Sequence, residues 1–206
     1  AHCGGPYSGQ EGRPIQFLGR AIDPGADTFT YAWDFNYDGT TFQPDSNEQN
    51  ATATYDDDGV FTVGLQVVDD DGGISAVDRT TVTVSNVAPL VRMAALFTGD
   101  EGSPVTFSLS IEDAPNDTHT VMWDFGDGSS AVLGAAAATH TYWDNGVYTV
   151  TLTVTDNDGS TATTTSTKTV LNRPPVASFT ENATTVLTGE AIRFNASGSE
   201  DPDGSI

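Results

Sequence analysis

The sequence predicts an all-β protein made of tandem two-layer sandwiches. Three observations carry this: apolar residues recur with period two, acidic Gly-containing turns punctuate the runs, and the pattern repeats after some ninety residues. Trp33 and Trp123 are 90 apart (123 − 33), as are Phe17 and Phe107 and Gly9 and Gly99. Later landmarks sit 87 apart: Tyr55 and Tyr142, Gly59 and Gly146, Asp69 and Asp156. The segments Asn86-Val87-Ala88-Pro89 and Asn172-Arg173-Pro174-Pro175 are offset by 86. Matches that drift by a few residues indicate duplicated units with loops of different length.

Three units follow: 1–87, 88–173, and a partial third unit over 174–206. The first reads as clipped at its N-terminal edge. In the third, Ile192-Arg193-Phe194 matches Val105-Thr106-Phe107, but no Trp-Asp-Phe strand follows.

The strand pattern is clearest in Tyr148, Val150, Leu152 and Val154, which alternate with threonines, and in Phe61, Val63, Leu65 and Val67. Val, Thr, Tyr and Phe suit a half-buried pleated surface. Thr80–Val84, Thr163–Val170 and Val105–Ile111 read alike. Asp57-Asp58-Gly59, Asp71-Gly72-Gly73, Asp144-Asn145-Gly146 and Asp158-Gly159 supply the turns. Ala135–Ala138 reads as a loop. About seven short strands per unit of ~85–90 residues is a sandwich count.

Trp123-Asp124-Phe125-Gly126-Asp127-Gly128, varied as Trp33-Asp34-Phe35-Asn36-Tyr37-Asp38-Gly39, reads as a buried strand entering a tight turn. Trp33 and Trp123 are expected to pin one sheet to the other. The strand beginning at Tyr148 is expected to supply the opposing face. Tyr55, Tyr142, Phe61 and Tyr148 complete the structural set. Asp124 and Asp127 are expected to accept turn N–H groups.

Lys and Arg number 7 against 29 Asp and Glu, a formal net charge of −22. Such a surface repels nucleic acid and anionic lipid and favours cations. It suits either a salty milieu or a calcium-rich extracellular one. The one cysteine, Cys3, precludes a disulfide framework. No apolar run reaches the ~18–20 residues of a membrane helix. The chain reads as a piece of a longer protein.

With its Thr139-His140-Thr141-Tyr142, Gly146-Val147-Tyr148-Thr149-Val150 and Val154-Thr155-Asp156 runs and its Asn-x-x-Pro linkers, the chain resembles tandem PKD domains, which are immunoglobulin-like β-sandwiches. Unit one departs by inserting Asn36-Tyr37. Some PKD-like domains, notably in bacterial collagenases, bind calcium near the linker. By position, the resemblance implies Asn86, Asp113 and Asp156 for unit two, Asn172, Asp201 and Asp203 for unit three, and Asp23 and Asp69 for unit one. Unit two lacks the paired Asp-x-Asp turn. The alternative is solvated turn aspartates. Oxygen-only ligands suit Ca²⁺ over zinc or copper.

Asp34-x-Asn36-x-Asp38-Gly39-x5-Asp45 nearly fits a helix-flanked calcium loop, but it follows a strand. Asn50, Asn116, Asn182 and Asn195 head glycosylation sequons, with Asn195 near a strand end and the others in loops. Tyr37, Phe42 and Trp143 are candidate exposed aromatics for binding, the alternative being loop packing. His140 reads as structural and His119 as an exposed loop residue. No nucleophile elbow, phosphate loop or zinc motif is present.

The expected role is therefore non-catalytic: an extracellular or cell-surface spacer, filament or adhesive segment, with calcium stiffening the joints. Its partners would be neighbouring repeats, copies of itself, other surface proteins or polysaccharides. The alternative is a substrate-binding module of a secreted hydrolase. Val176–Thr180 and Ala191–Asn195 are candidates for strand addition to another chain.

Overall fold

A computed structural model describes residues 1–24, 27–94, 98–134 and 136–201. Two compact units emerge from the contacts. The first comprises Ala1–Leu90 with Glu112–His119 and Thr155–Thr161; the second comprises Val91–Ile111, Thr120–Val154 and Ala162–Ile206.

Six strands build the first repeat: β1 (Tyr7–Gln10), β2 (Pro14–Leu18), β3 (Phe29–Asp34), β4 (Asn50–Thr54), β5 (Gly59–Asp69) and β6 (Asp78–Ser85). One sheet has the order β1-β6-β5-β3, and β2 pairs with β4 in the other. The parallel β1–β6 ladder aligns Tyr7 with Val82, and the antiparallel β3–β5 ladder sets Trp33 opposite Leu65. The alternation read from the sequence buries Val63, Leu65 and Val67 on the same face of β5. They meet Ile15, Phe17 and Ala51 from the second sheet.

The second repeat contains β7 (Leu90–Met93), β8 (Thr98–Asp100), β9 (Pro104–Glu112), β10 (His119–Asp124), β11 (Val132–Leu133), β12 (Ala137–Thr141), β13 (Gly146–Asp156) and β14 (Thr161–Leu171). The sheets are β11-β10-β13-β14-β8 and β12-β9-β7. Ala137 and Ala138, expected in a loop, lie in β12 opposite Ser108 and Phe107. Ala138 is buried, so its small side chain fills a core position that propensity alone does not mark.

Trp33 and Trp123 are fully buried. Each packs on an equivalent phenylalanine that in turn meets a second: Phe17 lies 5.7 Å from Trp33 and 5.1 Å from Phe35, and Phe107 lies 5.9 Å from Trp123 and 5.0 Å from Phe125. One expectation is corrected. The strand bearing Tyr148 does not oppose Trp123, because β13 is hydrogen-bonded beside β10 in one sheet. The opposing side chains come from β9 and β12, chiefly Phe107 and Ala138. Strict alternation tells which face is buried and leaves the sheet assignment open.

Tyr55 and Tyr142 close the two cores alike. Their hydroxyls donate to the carbonyls of Phe35 and Phe125, at 3.0 and 3.1 Å. Tyr148 stacks on Tyr142 and Phe61 on Tyr55. In the signature turn, Asp124 accepts from Gly126 and Asp127 from Ser129, as its chemistry demands. Gly126 has φ +75°, and a β-carbon there would collide with the Thr149 carbonyl. Only Gly fits.

In the third segment, β15 (Thr180–Glu181) pairs with β16 (Phe194–Asn195), and Val176 bridges to Glu200. Of the two stretches expected to seek another chain, Thr180 thus pairs with Asn195 within this chain.

Candidate functional site

The ladder between β1 and β6 runs on past both strands. Glu11 N–H donates to the Ser85 carbonyl at 3.2 Å, and the Glu11 Oε1 then accepts the Val87 N–H at 2.6 Å. The second repeat does the same. Glu101 N–H donates to Leu171 and Glu101 Oε1 accepts from Arg173 N–H at 2.6 Å. Each glutamate thus satisfies the first free donor after its ladder, a duty that holds the carboxylate inside. Glu11 is 2% exposed and Glu101 0%, and the Oε2 of each is buried without a hydrogen-bond partner. A buried carboxylate oxygen without a donor is costly unless a cation or proton meets it.

Around Glu11, within the first compact unit, three loops add carboxylates. The β4–β5 turn brings Asp57 and Asp58. Glu112–His119, leading into β10, brings Asp113 and Asp117, and the β13–β14 turn brings Asp158. Oxygens from Glu11, Asp113 and Asp117 lie within 4.8 Å of one another, as do those of Glu11, Asp57 and Asp58, and those of Asp57, Asp117 and Asp158. Asp113 Oδ1 and both Asp117 oxygens are buried and unpartnered, as is Asn86 Oδ1. Among the described residues the basic group paired with this cluster is His119, whose Nε2 stands 2.9 Å from Asp113 Oδ2. A cleft of about 410 Å³ lined by Glu11, Arg13, Asp56 and Asp113 opens beside it.

Electrostatics follows the geometry. Burial raises the Glu11 carboxyl above its ordinary range; the Val87 hydrogen bond opposes this, while Asp117, Asp58 and Asp113 add to it. Asp117 is raised by burial and then by Asp113, Asp156, Asp158 and Asp57. Asp158 is raised by burial and then by Asp58 and Asp57. Crowded like charges favour proton uptake, or a cation, which inverts the preference.

Of the residues expected for unit two, Asn86 and Asp156 are hydrogen-bonded to each other, Asp113 lies in the trio with Glu11 and Asp117, and both Asp113 and Asp156 act on Asp117. Asp156 is the last inward position of β13 and is 5% exposed. Its Oδ1 accepts from Asp158 and Ser160 N–H, and its Oδ2 accepts from Asn86 Nδ2 at 3.2 Å. Asp156 therefore orients Asn86, whose Oδ1 is left facing no donor. From sequence, Asp57, Asp58 and Asp158 are read only as turn residues, and Glu11 and Asp117 are not singled out. The ninety-residue offset of Glu11 and Glu101 (101 − 11) was a legible signal for the glutamates. Nothing local marks the aspartates.

The remaining expected ligands lie apart. In unit one, Asp23, which is exposed, and Asp69 line one cleft; Asp69 Oδ1 accepts the Gly73 N–H at 2.6 Å, and Asp27, hydrogen-bonded to Asp23, forms a trio with Asp70 and Asp71. Asn172 is exposed, Asp201 is half-buried, and Asp203 lies outside the described residues. The helix-loop-like stretch is a set of backbone caps: Asp34 accepts from Asn36 and Gln43, Asp38 from Thr40 and Thr41, and Asp45 from Phe35. His119 opens β10 with its side chain 19% exposed, so it is not an exposed loop residue, because Asp113 draws it in. His140 stacks on Phe125 at 4.1 Å and meets Asp127 at 2.6 Å.

Tyr37 and Phe42 pack edge-on at 6.1 Å over Gly64, where a β-carbon would press on both rings. They are loop packing. Trp143 is 65% exposed. Of the sequon residues, Asn50 begins β4 rather than lying in a loop, because Leu18 of β2 pairs with it. Asn116 is exposed in the loop before β10, Asn182 accepts from Arg193 N–H, and Asn195 lies in β16.

A family model described as "PKD domain" matches residues 1–84 and 86–170. A microbial collagenase of Vibrio alginolyticus is 42% identical over 70 residues, which is 34% of this chain; the match spans 8% of the collagenase's length. The PKD1 domain of Vibrio anguillarum Epp is 33% identical, covering 42% of this chain and 96% of that one, with a TM-score of 0.35. The amphioxus IgVJ-C2 molecule is 15% identical over 78% of this chain and 98% of its own, with a TM-score of 0.44.

Proposed function

Because this chain belongs to the PKD domain family, we propose that it is an extracellular spacer segment carrying a divalent-cation site. PKD domains are non-catalytic structural modules. No helix among the described residues is long and apolar enough to cross a membrane. The observation that carries the cation reading is the set of buried, donor-less oxygens on Glu11, Asn86, Asp113 and Asp117. An all-oxygen set rich in carboxylates, with one amide, has the hardness and irregularity that calcium accepts and zinc or copper does not. An ion there would neutralise the crowded carboxylates and fix the segment Asn86–Pro89, whose backbone Glu11 already grips.

Limited proteolysis tests this. Cleavage within 85–90 should be slow in calcium and fast in chelator, and Asp113→Asn should abolish the difference. Equal cleavage rates of the native chain in both conditions would refute the reading.

A second reading, an accessory binding module of a secreted hydrolase, is favoured by the exposed Trp143 indole and by the similarity to the collagenase. Retention on insoluble polysaccharide or collagen, lost in Trp143→Ala, would support it. Passage of the native chain through both columns would exclude it for those polymers.

A further inference from the structure

We infer that the open edge of β3 in the first repeat is a strand-addition site, and that its occupant is an extended peptide with alternating apolar residues and a cationic C-terminal end.

β3 is an edge strand, hydrogen-bonded to β5 on one side. On the other side, Trp33 N–H donates to the Ser46 carbonyl and the Trp33 carbonyl accepts from Asp45 N–H, both at 2.7 Å. The β3–β5 register runs unbroken from Phe29 to Asp34. Backbone groups alternate sides along an antiparallel strand, so those of Tyr31 and Phe29 point the same way as those of Trp33. A neighbour continuing from the antiparallel Trp33–Ser46 bridge would bring Glu48 opposite Tyr31. Glu48 does not serve. Its N–H donates to Ser46 Oγ at 3.3 Å, and its carbonyl accepts the Trp33 indole N–H at 3.0 Å. Gln49 then turns to the other sheet, where its carbonyl accepts the Gly19 N–H. Among the described residues no backbone hydrogen bond reaches this edge at Tyr31 or Phe29.

The second repeat fills the equivalent place. There β11 sets Val132 opposite Trp123, and Gly134 N–H donates at 2.8 Å to the carbonyl of Val121, the counterpart of Tyr31 (121 − 31 = 90). The same edge therefore accepts a strand in one repeat and stands open in the other. An open edge offers donors and acceptors in the spacing of a ladder, which is how sheets capture extended peptides.

Space and charge select the occupant. A cleft of about 520 Å³ runs between Phe29–Ala32 and the side formed by Asn47 and Gln49. On the inner face, further clefts adjoin Tyr31 and Phe29 and share Ile22, which is 96% exposed. An added strand would set two side chains on that face, opposite Tyr31 and Phe29, where β-branched residues pack well on aromatic ones. The cleft beside Phe29 holds Asp23 and Asp69, and the trio of Asp27, Asp70 and Asp71 adjoins Asp23 through Asp27. The cleft beside Tyr31 holds Arg20 instead. A strand antiparallel to β3 passes Tyr31 first and Phe29 last, so its Lys or Arg residues belong at its C-terminal end. A second copy of this chain is disfavoured by its formal net charge of −22.

Nuclear magnetic resonance of the isotope-labelled chain with the peptide Ser-Val-Thr-Val-Lys-Lys tests the inference. In the free chain the Phe29 and Tyr31 amides should exchange rapidly with solvent, while the Ala32 amide, which faces β5, is protected. The peptide should slow exchange at Tyr31 and Phe29 by about tenfold or more. N-methylation of both valines, which removes the peptide's donors and keeps its side chains, should abolish binding. Asp70→Asn with Asp71→Asn should weaken the lysine peptide severalfold and leave a Ser-Val-Thr-Val-Ser-Ser control unchanged. No binding, binding without protection of Tyr31, or equal binding of the N-methylated peptide would overturn the strand-addition site. Equal affinity for the lysine and serine peptides would overturn the cationic end. Protection of Tyr31 that grows with the concentration of the chain alone would overturn the peptide as occupant and give the edge to a second copy.

Discussion

Glu11→Gln should change the stability of the first repeat in opposite directions with and without calcium. The substitution keeps the shape and one acceptor but removes the charge. In chelator, Glu11 stands within 4.8 Å of oxygens on Asp57, Asp58, Asp113 and Asp117. At that distance and an effective dielectric of ~20, one like-charge pair costs about 3.5 kcal/mol before screening. Screening, the partial exposure of Asp57, Asp58 and Asp117, and proton uptake reduce the relief available to ~2 kcal/mol. Against it stands the weaker bond to Val87 N–H, worth about 1 kcal/mol less when neutral. The variant should therefore gain ~1 kcal/mol in chelator, a rise in Tm of about 4–8 °C for a domain this size. In saturating calcium it loses a carboxylate ligand. A ten- to hundredfold weaker affinity removes about 1.4–2.7 kcal/mol, which reverses the sign. Differential scanning calorimetry in chelator and in millimolar calcium reads both. A shift of the same sign in both buffers would refute the cage as a cation site.

Four further outcomes follow from the cores and the turn. Asp127 is raised by burial but lowered more by its hydrogen bonds from Ser129 and His140, so its net shift is downward. Its contribution is present above the ordinary aspartate range and is lost as pH falls through the lowered folded-state value. Asp127→Asn should thus flatten the acid limb of the second repeat's stability below about pH 4, as read by urea melts at stepped pH. The Cys3 thiol is pushed up to about 12, first by burial and then by Asp78; it should resist thiol reagents at pH 8 in the native chain and react promptly in urea. Tyr142→Phe strands the buried Phe125 carbonyl and should cost ~1–3 kcal/mol by chemical denaturation. Tyr55→Phe should cost less, because Tyr55 is 8% exposed against 1% for Tyr142.

The signature turn shows how far sequence chemistry reaches. Asp124, Gly126 and Asp127 do what their types dictate, since an aspartate two residues before a free N–H caps it wherever the turn sits. The same local chemistry does not separate Asp69 from Asp156, since each accepts the N–H four residues on, from Gly73 or Ser160; the Asn86 amide that reaches Asp156 Oδ2 tells them apart. Nor does it place Tyr37 and Phe42, whose packing depends on the absence of a side chain at Gly64 on β5.

By itself the sequence determined the sandwich class, the duplicated aromatic cores and the residues that close them. These rest on period-two burial and on turns, which are properties of neighbouring residues. Only the tertiary structure decided that β13 lies beside Trp123 rather than across from it. It alone brought Glu11, Asp57, Asp117 and Asp158 together from four loops spread over 147 positions (158 − 11). Carboxylates scattered along an acidic chain look alike. What distinguishes these is that the fold leaves their oxygens facing one another and takes the water from Glu11 Oε2 and the Asp117 oxygens, a property of packing that no stretch of sequence contains.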